Sequence, residues 1–195
     1  FKEEGWNAIR VRLFVEPDRA SAEHKGEGVC QDLDYVMKLG QRIKKAGYQF
    51  MLDFHYSDTW ADPGKQFMPY RWKNSGVASL PDSVYQYTRK SLEVMVKAGA
   101  CPDLIQVGNE ITNGMMWPAA KVEPLGKDNW DILVKLLESG AKACREVCPR
   151  AKIIIHTEKA GEWDKTKSYY NHLRQLDYLS LIHISEPTRL GMISY

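Results

Sequence analysis

The sequence predicts an α/β fold, part of a (β/α)8 barrel. Three features carry that reading: short apolar runs alternate with longer segments of helical period, no glycine-rich phosphate loop follows the first run, and polar or ionisable residues stand at the end of each run. The first strand lies near Ala8 to Val15. Its helix, near Asp32 to Ala46, sets Leu33, Val36, Met37, Gly40 and Ile43 at three- and four-residue spacing before Gly47 stops it. The second strand, Gln49 to His55, leads through a segment rich in Trp, Pro, Gly and Asp to a helix from about Asp82 to Ala98. The third strand is Asp103 to Asn109, with a helix from about Asn129 to Val147. The fourth is Lys152 to His156, followed by a weaker helix near Lys165 to Leu176, and Tyr178 begins what should be a fifth strand.

This succession also suits a doubly wound sheet. The missing phosphate loop and the polar strand ends favour the barrel, whose enzymes keep their chemistry at the C-terminal ends of the strands. A complete barrel usually takes about 250 residues, so 195 are too few to close one in the ordinary way.

With 44% hydrophobic and 27% charged residues the composition is that of a globular domain, and a formal charge of +2 gives no electrostatic reason for a nucleic-acid or anionic-membrane partner. No apolar run reaches the ~18 residues of a membrane span. The chain opens on Phe and enters a strand almost at once, so the opening carries no signal-peptide order. Cys30, Cys101, Cys144 and Cys148 make neither a zinc pattern nor a supported disulfide framework, and read as ordinary thiols.

The sharpest chemical signal is QVGNEITNG, where a short apolar strand ends in Asn109 and Glu110 and leaves a carboxyl at the barrel mouth. Glycoside hydrolysis needs such a carboxyl to protonate the leaving oxygen, and Asn109 beside it could hydrogen-bond a sugar 2-hydroxyl. Taken alone, Asn-Glu is equally a surface dipeptide in a loop. In LDFHYSDTWADPG, alternation puts Asp53 and His55 on one face with Met51. His55 could reach a substrate hydroxyl or a catalytic carboxyl, or serve only as a structural hydrogen-bonder. Arg10 and Arg12 share a face for the same reason. A buried arginine calls for a carboxylate partner, and Arg12, nearer the strand's end, is the better site candidate.

Trp60, Trp72 and Trp117 stand in the loops after the second and third strands. Their flat faces suit stacking on a pyranose, or packing of the loops themselves. With Asp58 and Asp62 close in sequence they describe a carbohydrate groove, and His156 is expected as a further polar wall residue.

The strings GWNAIRVRLFVEP, LDFHYSDTWADPGKQ, IQVGNEITNGMMWP and IIIH together closely resemble the endo-β-1,4-galactanases of glycoside hydrolase family 53, from roughly Phe1 to Tyr178. The resemblance implies a (β/α)8 barrel of which this chain holds about strands 2 to 6. It makes Glu110 the acid/base, Asn109 its neighbour, Arg12 and His55 the supporting shell, and the barrel's seventh strand the source of the nucleophile. It implies a β-1,4-galactan substrate of the pectic arabinogalactan type, cut internally with retention through a covalent glycosyl-enzyme. No organic cofactor is implied, and no metal ligands are expected among these residues. The complete protein is expected to be secreted or periplasmic and monomeric.

Past Tyr178 the family pattern stops. Leu179 to Arg189 reads like a translated sequencing adapter, so residues 179–195 are expected to stand outside the 1–178 barrel domain as a non-native tail, and Glu186 is not a candidate nucleophile. On that reading the chain as written lacks a nucleophile, is inactive and is poorly stable, with open strand edges. Two other functions share some of these features: an endo-mannanase or cellulase of the same clan, and a carbohydrate-binding protein without turnover.

Overall fold

A computed structural model describes residues 3–20, 28–122, 129–159 and 161–175, together with the strand at 192–194. Four parallel strands follow the predicted order. These are β1 (Ala8–Leu13), β2 (Gln49–Phe54), β3 (Leu104–Val107) and, after a two-residue hairpin of β4 (Gly114–Met115) and β5 (Ala120–Lys121), β6 (Lys152–Ile154). The helices are α1 (Leu33–Lys45), α2 (Leu80–Lys97), α3 (Trp130–Val147) and α4 (Trp163–Gln175). The α2 helix begins two residues earlier than expected, with Pro81 in its first turn, where proline lacks only a donor that is unused there. The β4–β5 hairpin has no counterpart in the sequence reading.

The sheet runs β6-β3-β2-β1, with β1 also pairing in parallel with β7 (Met192–Ser194). The expected fifth strand at Tyr178 and most of the expected tail, residues 179–191 and 195, lie outside the described residues. Residues 192–194, near the end of that tail, pair with the outer edge of β1, whose backbone groups an extended segment can satisfy.

Strict alternation sorts the side chains of the sheet. Val11, Leu13, Phe50, Leu52, Phe54, Ile105, Val107 and Ile153 belong to one buried cluster with the helices. Arg10, Arg12, Asp53 and Gln106 occupy the alternate positions and so face the opposite side. In register, Arg12 lies beside Asp53, and Asp53 beside Gln106.

The helices are seated closely on the sheet. Asp32 caps α1, its carboxylate accepting the Tyr35 N–H at 2.8 Å. At Gly40 the helix approaches β2 so nearly that a Cβ would stand 2.7 Å from the Phe50 ring. Tyr56, just past β2, reaches α2 through a 2.8 Å hydrogen bond between its hydroxyl and that of Thr88. This packing fixes the C-terminal strand ends, from which the site is built.

Candidate active site

Asp53 is the hub beneath the mouth. Fully buried, its carboxylate accepts from Arg10 Nη2 at 2.7 Å and from Gln106 Nε2 at 2.6 Å, and His55 Nε2 stands 3.2 Å away. Burial alone would raise the Asp53 pKa, but the facing His55 and Arg10 outweigh it and hold the carboxyl below its ordinary value. His55 Nδ1 accepts the Ala61 N–H at 3.1 Å, which puts the ring proton on Nε2, the atom turned to Asp53.

The same Arg10 Nη2 donates to Asn109 Oδ1 at 2.6 Å, while Asn109 Nδ2 donates to the Ala61 carbonyl at 2.7 Å. The amide is thereby fixed at both ends. Gln66 Nε2 holds the next stretch from the side, donating to the Asn109 carbonyl at 2.8 Å and the Glu110 carbonyl at 3.3 Å.

Glu110 itself adopts φ 50°, ψ 49°, a left-handed conformation that a residue with a Cβ takes only when its surroundings impose it. Its own N–H donates to His156 Nδ1 at 3.3 Å, and the Ile111 N–H donates to the His156 carbonyl at 3.0 Å. Burial, and then Arg10, lower the His156 pKa, a shift that favours the neutral ring, whose Nδ1 can accept. Gly108 turns the chain at φ 85° just before, with no room for a Cβ against Ile111.

A cleft of about 300 Å³ opens over these groups, lined among others by Arg10, Arg12, Trp60, Asp62, Asn109 and Glu110. Burial raises the Glu110 pKa, and the facing carboxylates Glu158 and Asp62 raise it further, the direction that keeps a general acid protonated. Arg12 lies over the Trp60 ring at 4.6 Å from its centroid, and Trp60 packs edge-on to Phe14 and His55. A second cleft, of about 400 Å³, is lined by Asp58, Phe67, Met68 and Trp117, among others. The β4–β5 hairpin carries Trp117, whose Nε1 donates to the Asn113 carbonyl at 2.9 Å and whose ring has the Lys121 ammonium 4.4 Å from its centroid.

The structure therefore brings Arg12, His55, Trp60, Asn109, Glu110 and His156 to one mouth and puts Trp117 on the second cleft. It does not bring Trp72 there. That ring is buried in the hydrophobic core, edge-on to Tyr87, and lines neither cleft. Asp58 braces the loop, accepting the Glu16 N–H at 2.9 Å and the Tyr70 N–H at 2.7 Å. Arg10, set behind Arg12 in the sequence reading, is the arginine that touches Asn109 and Asp53. Glu158, which no motif singles out, stands two residues past His156 in the loop after β6. Its Oε2 accepts from the Thr112 hydroxyl at 2.6 Å. Gln106 was legible by the same alternation, two residues after Leu104 on the mouth face of β3, whereas nothing in the sequence singled out Gln66.

A parallel sheet backed by helices, with a carboxylic acid, an amide, two histidines and an arginine at its C-terminal edge, has the architecture of part of a (β/α)8 barrel with its polar groups at the strand ends. The family model described as Glycosyl hydrolase family 53 matches residues 1–181, and the chain belongs to that family. It is 34% identical over 174 residues to the probable arabinogalactan endo-beta-1,4-galactanase A of Aspergillus fumigatus, covering 88% of this chain and 45% of that protein. The arabinogalactan endo-beta-1,4-galactanase of Humicola insolens is also 34% identical, with 88% and 48% covered. Among solved structures, the Ignisphaera aggregans GH53 catalytic domain superposes with a TM-score of 0.79 at 34% identity, over 89% of this chain and 46% of that one. A structure of fungal beta-1,4-galactanases superposes with the same TM-score at 32% identity, over 93% and 51%. The chain spans about half the length of these relatives.

Proposed function

We propose that this chain carries the acid/base half of an endo-acting, retaining β-1,4-galactan hydrolase, with Glu110 as the acid/base. The observation that carries the reading is Glu110 held in a left-handed turn at the cleft, its pKa raised, beside an Asn109 amide fixed by Arg10. Membership of family 53 and galactanase relatives at 34% identity support the substrate, the β-1,4-linked backbone of pectic arabinogalactan.

In the first step the protonated Glu110 donates to the glycosidic oxygen as the bond to the leaving chain breaks and a nucleophilic carboxylate closes on the anomeric carbon. In the second, Glu110 takes a proton from the water that releases the sugar. The nucleophile is not among the described mouth residues assigned here, and belongs to the barrel's seventh strand. Asn109, with its carbonyl oxygen engaged by Arg10 and its amide nitrogen by Ala61, is positioned rather than mobile, as a contact to a sugar 2-hydroxyl requires. Arg12 with Trp60 and, on the second cleft, Trp117 offer faces to successive sugar units. His55 and His156 hold the cluster in shape, and Asp58 holds the loop that shapes the second cleft. The complete enzyme works as a secreted monomer without a cofactor. No helix among the described residues is long and apolar enough to cross a membrane.

The test completes the barrel. Residues 3–175 replace the aligned segment of the Humicola insolens relative, and the chimera is assayed on β-1,4-galactan, β-mannan and cellulose with the anomeric configuration of the product followed by NMR. Galactan cleavage with retention is expected, and Glu110→Gln should lower kcat by about 10² to 10⁴-fold and abolish the basic limb of its pH profile. Full activity in that variant, or preference for mannan, overturns the reading.

A further inference from the structure

Four thiols are free in this structure, yet two of them meet: the sulfurs of Cys101 and Cys148, 47 positions apart in sequence, are 3.6 Å from each other. The contact follows from the topology. Because β3 and β6 are parallel neighbours, the turns that enter their N-terminal ends lie side by side. Cys101 is in the turn from α2 to β3, and Cys148 caps the C-terminus of α3 on the way to β6. Backbone bonds tie both turns down: Asp103 N–H to the Phe50 carbonyl at 2.9 Å, Lys152 N–H to the Asp103 carbonyl at 3.0 Å, and Ala151 N–H to the Cys148 carbonyl at 2.9 Å.

We infer that Cys101 and Cys148 form a disulfide in an oxidising compartment, a covalent staple between two βα units at the end of the sheet opposite Glu110. Closing the gap to the ~2.0 Å of a sulfur–sulfur bond asks for side-chain rotation, and Cys101 is only partly buried. The other two thiols are poorly placed. Cys30 is exposed in the loop after β1, at the mouth end, and Cys144 is buried one turn earlier on α3.

The oxidant is a small disulfide such as oxidised glutathione. The Cys101 thiolate attacks one of its sulfurs, giving a mixed disulfide and releasing one glutathione thiolate. The Cys148 sulfur, losing its proton to that thiolate, then attacks the Cys101 sulfur and expels the second glutathione. Two protein thiols lose two electrons, and one oxidised glutathione becomes two reduced ones. Buried Cys148 remains protonated until then, so accessible Cys101 is the entry point.

A cross-link that closes a loop of this length constrains the unfolded chain. The inference rests on no part of the galactanase reading. The 195-residue chain is equilibrated with reduced and oxidised glutathione at the poise of a secretory compartment, alkylated under denaturing conditions, and mapped by peptide mass spectrometry. A Cys101–Cys148 linked peptide, an intact mass short by two hydrogens, and a Tm about 5 °C or more above that of the reduced chain are expected. Cys101→Ser should abolish all three, and because that position is partly exposed the variant retains the fold. Cys144→Ala should keep the cross-link. Four alkylated thiols, or a Cys144–Cys148 link, would overturn the inference.

Discussion

Glu110 is held in a conformation and a charge environment that both oppose its comfort, and this makes its energetics measurable without any assay of turnover. Its carboxyl has a raised pKa in the folded chain, so the favourable part of its contribution is fully present below the unfolded value of about 4.3 and is lost as pH rises through the folded value. Glu110→Gln removes the cost of partly burying the charge and its repulsion from Glu158 and Asp62. The variant should match the parent in thermal melts near pH 4 and exceed it by about 1 to 3 °C at pH 7, with the cleft's exposure to water keeping the gain small. Equal melting temperatures at both pH values would show that neither burial nor the facing carboxylates raise the Glu110 pKa.

Asp53 works in the opposite sense. Its pKa is depressed, so its stabilisation is present above the unfolded value of about 3.9 and is lost as pH falls through the lower folded value. Asp53→Asn leaves the Arg10 guanidinium without its carboxylate, and urea unfolding at pH 7 should show a loss of about 3 kcal/mol. The difference between parent and variant should shrink in acid. A variant as stable as the parent at pH 7 would mean that Asn109 alone satisfies Arg10.

Among the elements, α1 depends on one close approach. A Cβ at Gly40 would press on the Phe50 ring, itself buried in the core, so Gly40→Ala should cost about 1 to 3 kcal/mol in spite of alanine's better helix propensity. Stability equal to or above the parent's in urea would show that the ring can step aside. The helices and strands themselves were legible in the sequence because each carries a periodic apolar face long enough to declare its type, as Val36, Gly40 and Ile43 do in α1. The β4–β5 hairpin was not, since two-residue strands have no period to read and Gly114 with Ala120 pair only because the mouth loop folds back on itself. That hairpin presents Trp117, so half of the groove's aromatic equipment depends on an element without a local signature. Trp72 shows the converse. Its place in a Trp- and Pro-rich loop suggested a sugar contact, but the loop turns inward there and the ring packs on Tyr87.

On the scale of the whole molecule, the sheet has edges where a closed barrel has none. At β1 the edge is occupied by residues 192–194. A chain ending at Gln175 should therefore aggregate faster than the 195-residue chain on warming, as followed by light scattering, because β1 would present a long apolar edge to its copies. Identical aggregation kinetics would show that the β7 pairing contributes nothing in solution.

The sequence by itself determined the fold class, the order of four strands and four helices, the family, and the placing of Glu110, Asn109, His55 and His156 at strand ends. The family rests on a resemblance in four motif strings, and the rest on alternation and helical period, which local sterics and burial impose residue by residue. Only the tertiary structure decided that Arg10 rather than Arg12 ties Asn109 to Asp53, that Gln66 and Glu158 face the acid/base loop, that Trp72 is core, and that Cys101 meets Cys148. Each of those facts depends on which side chains from distant segments converge once parallel strands are set in register, and register between strands some fifty residues apart is fixed by the packing of the helices between them.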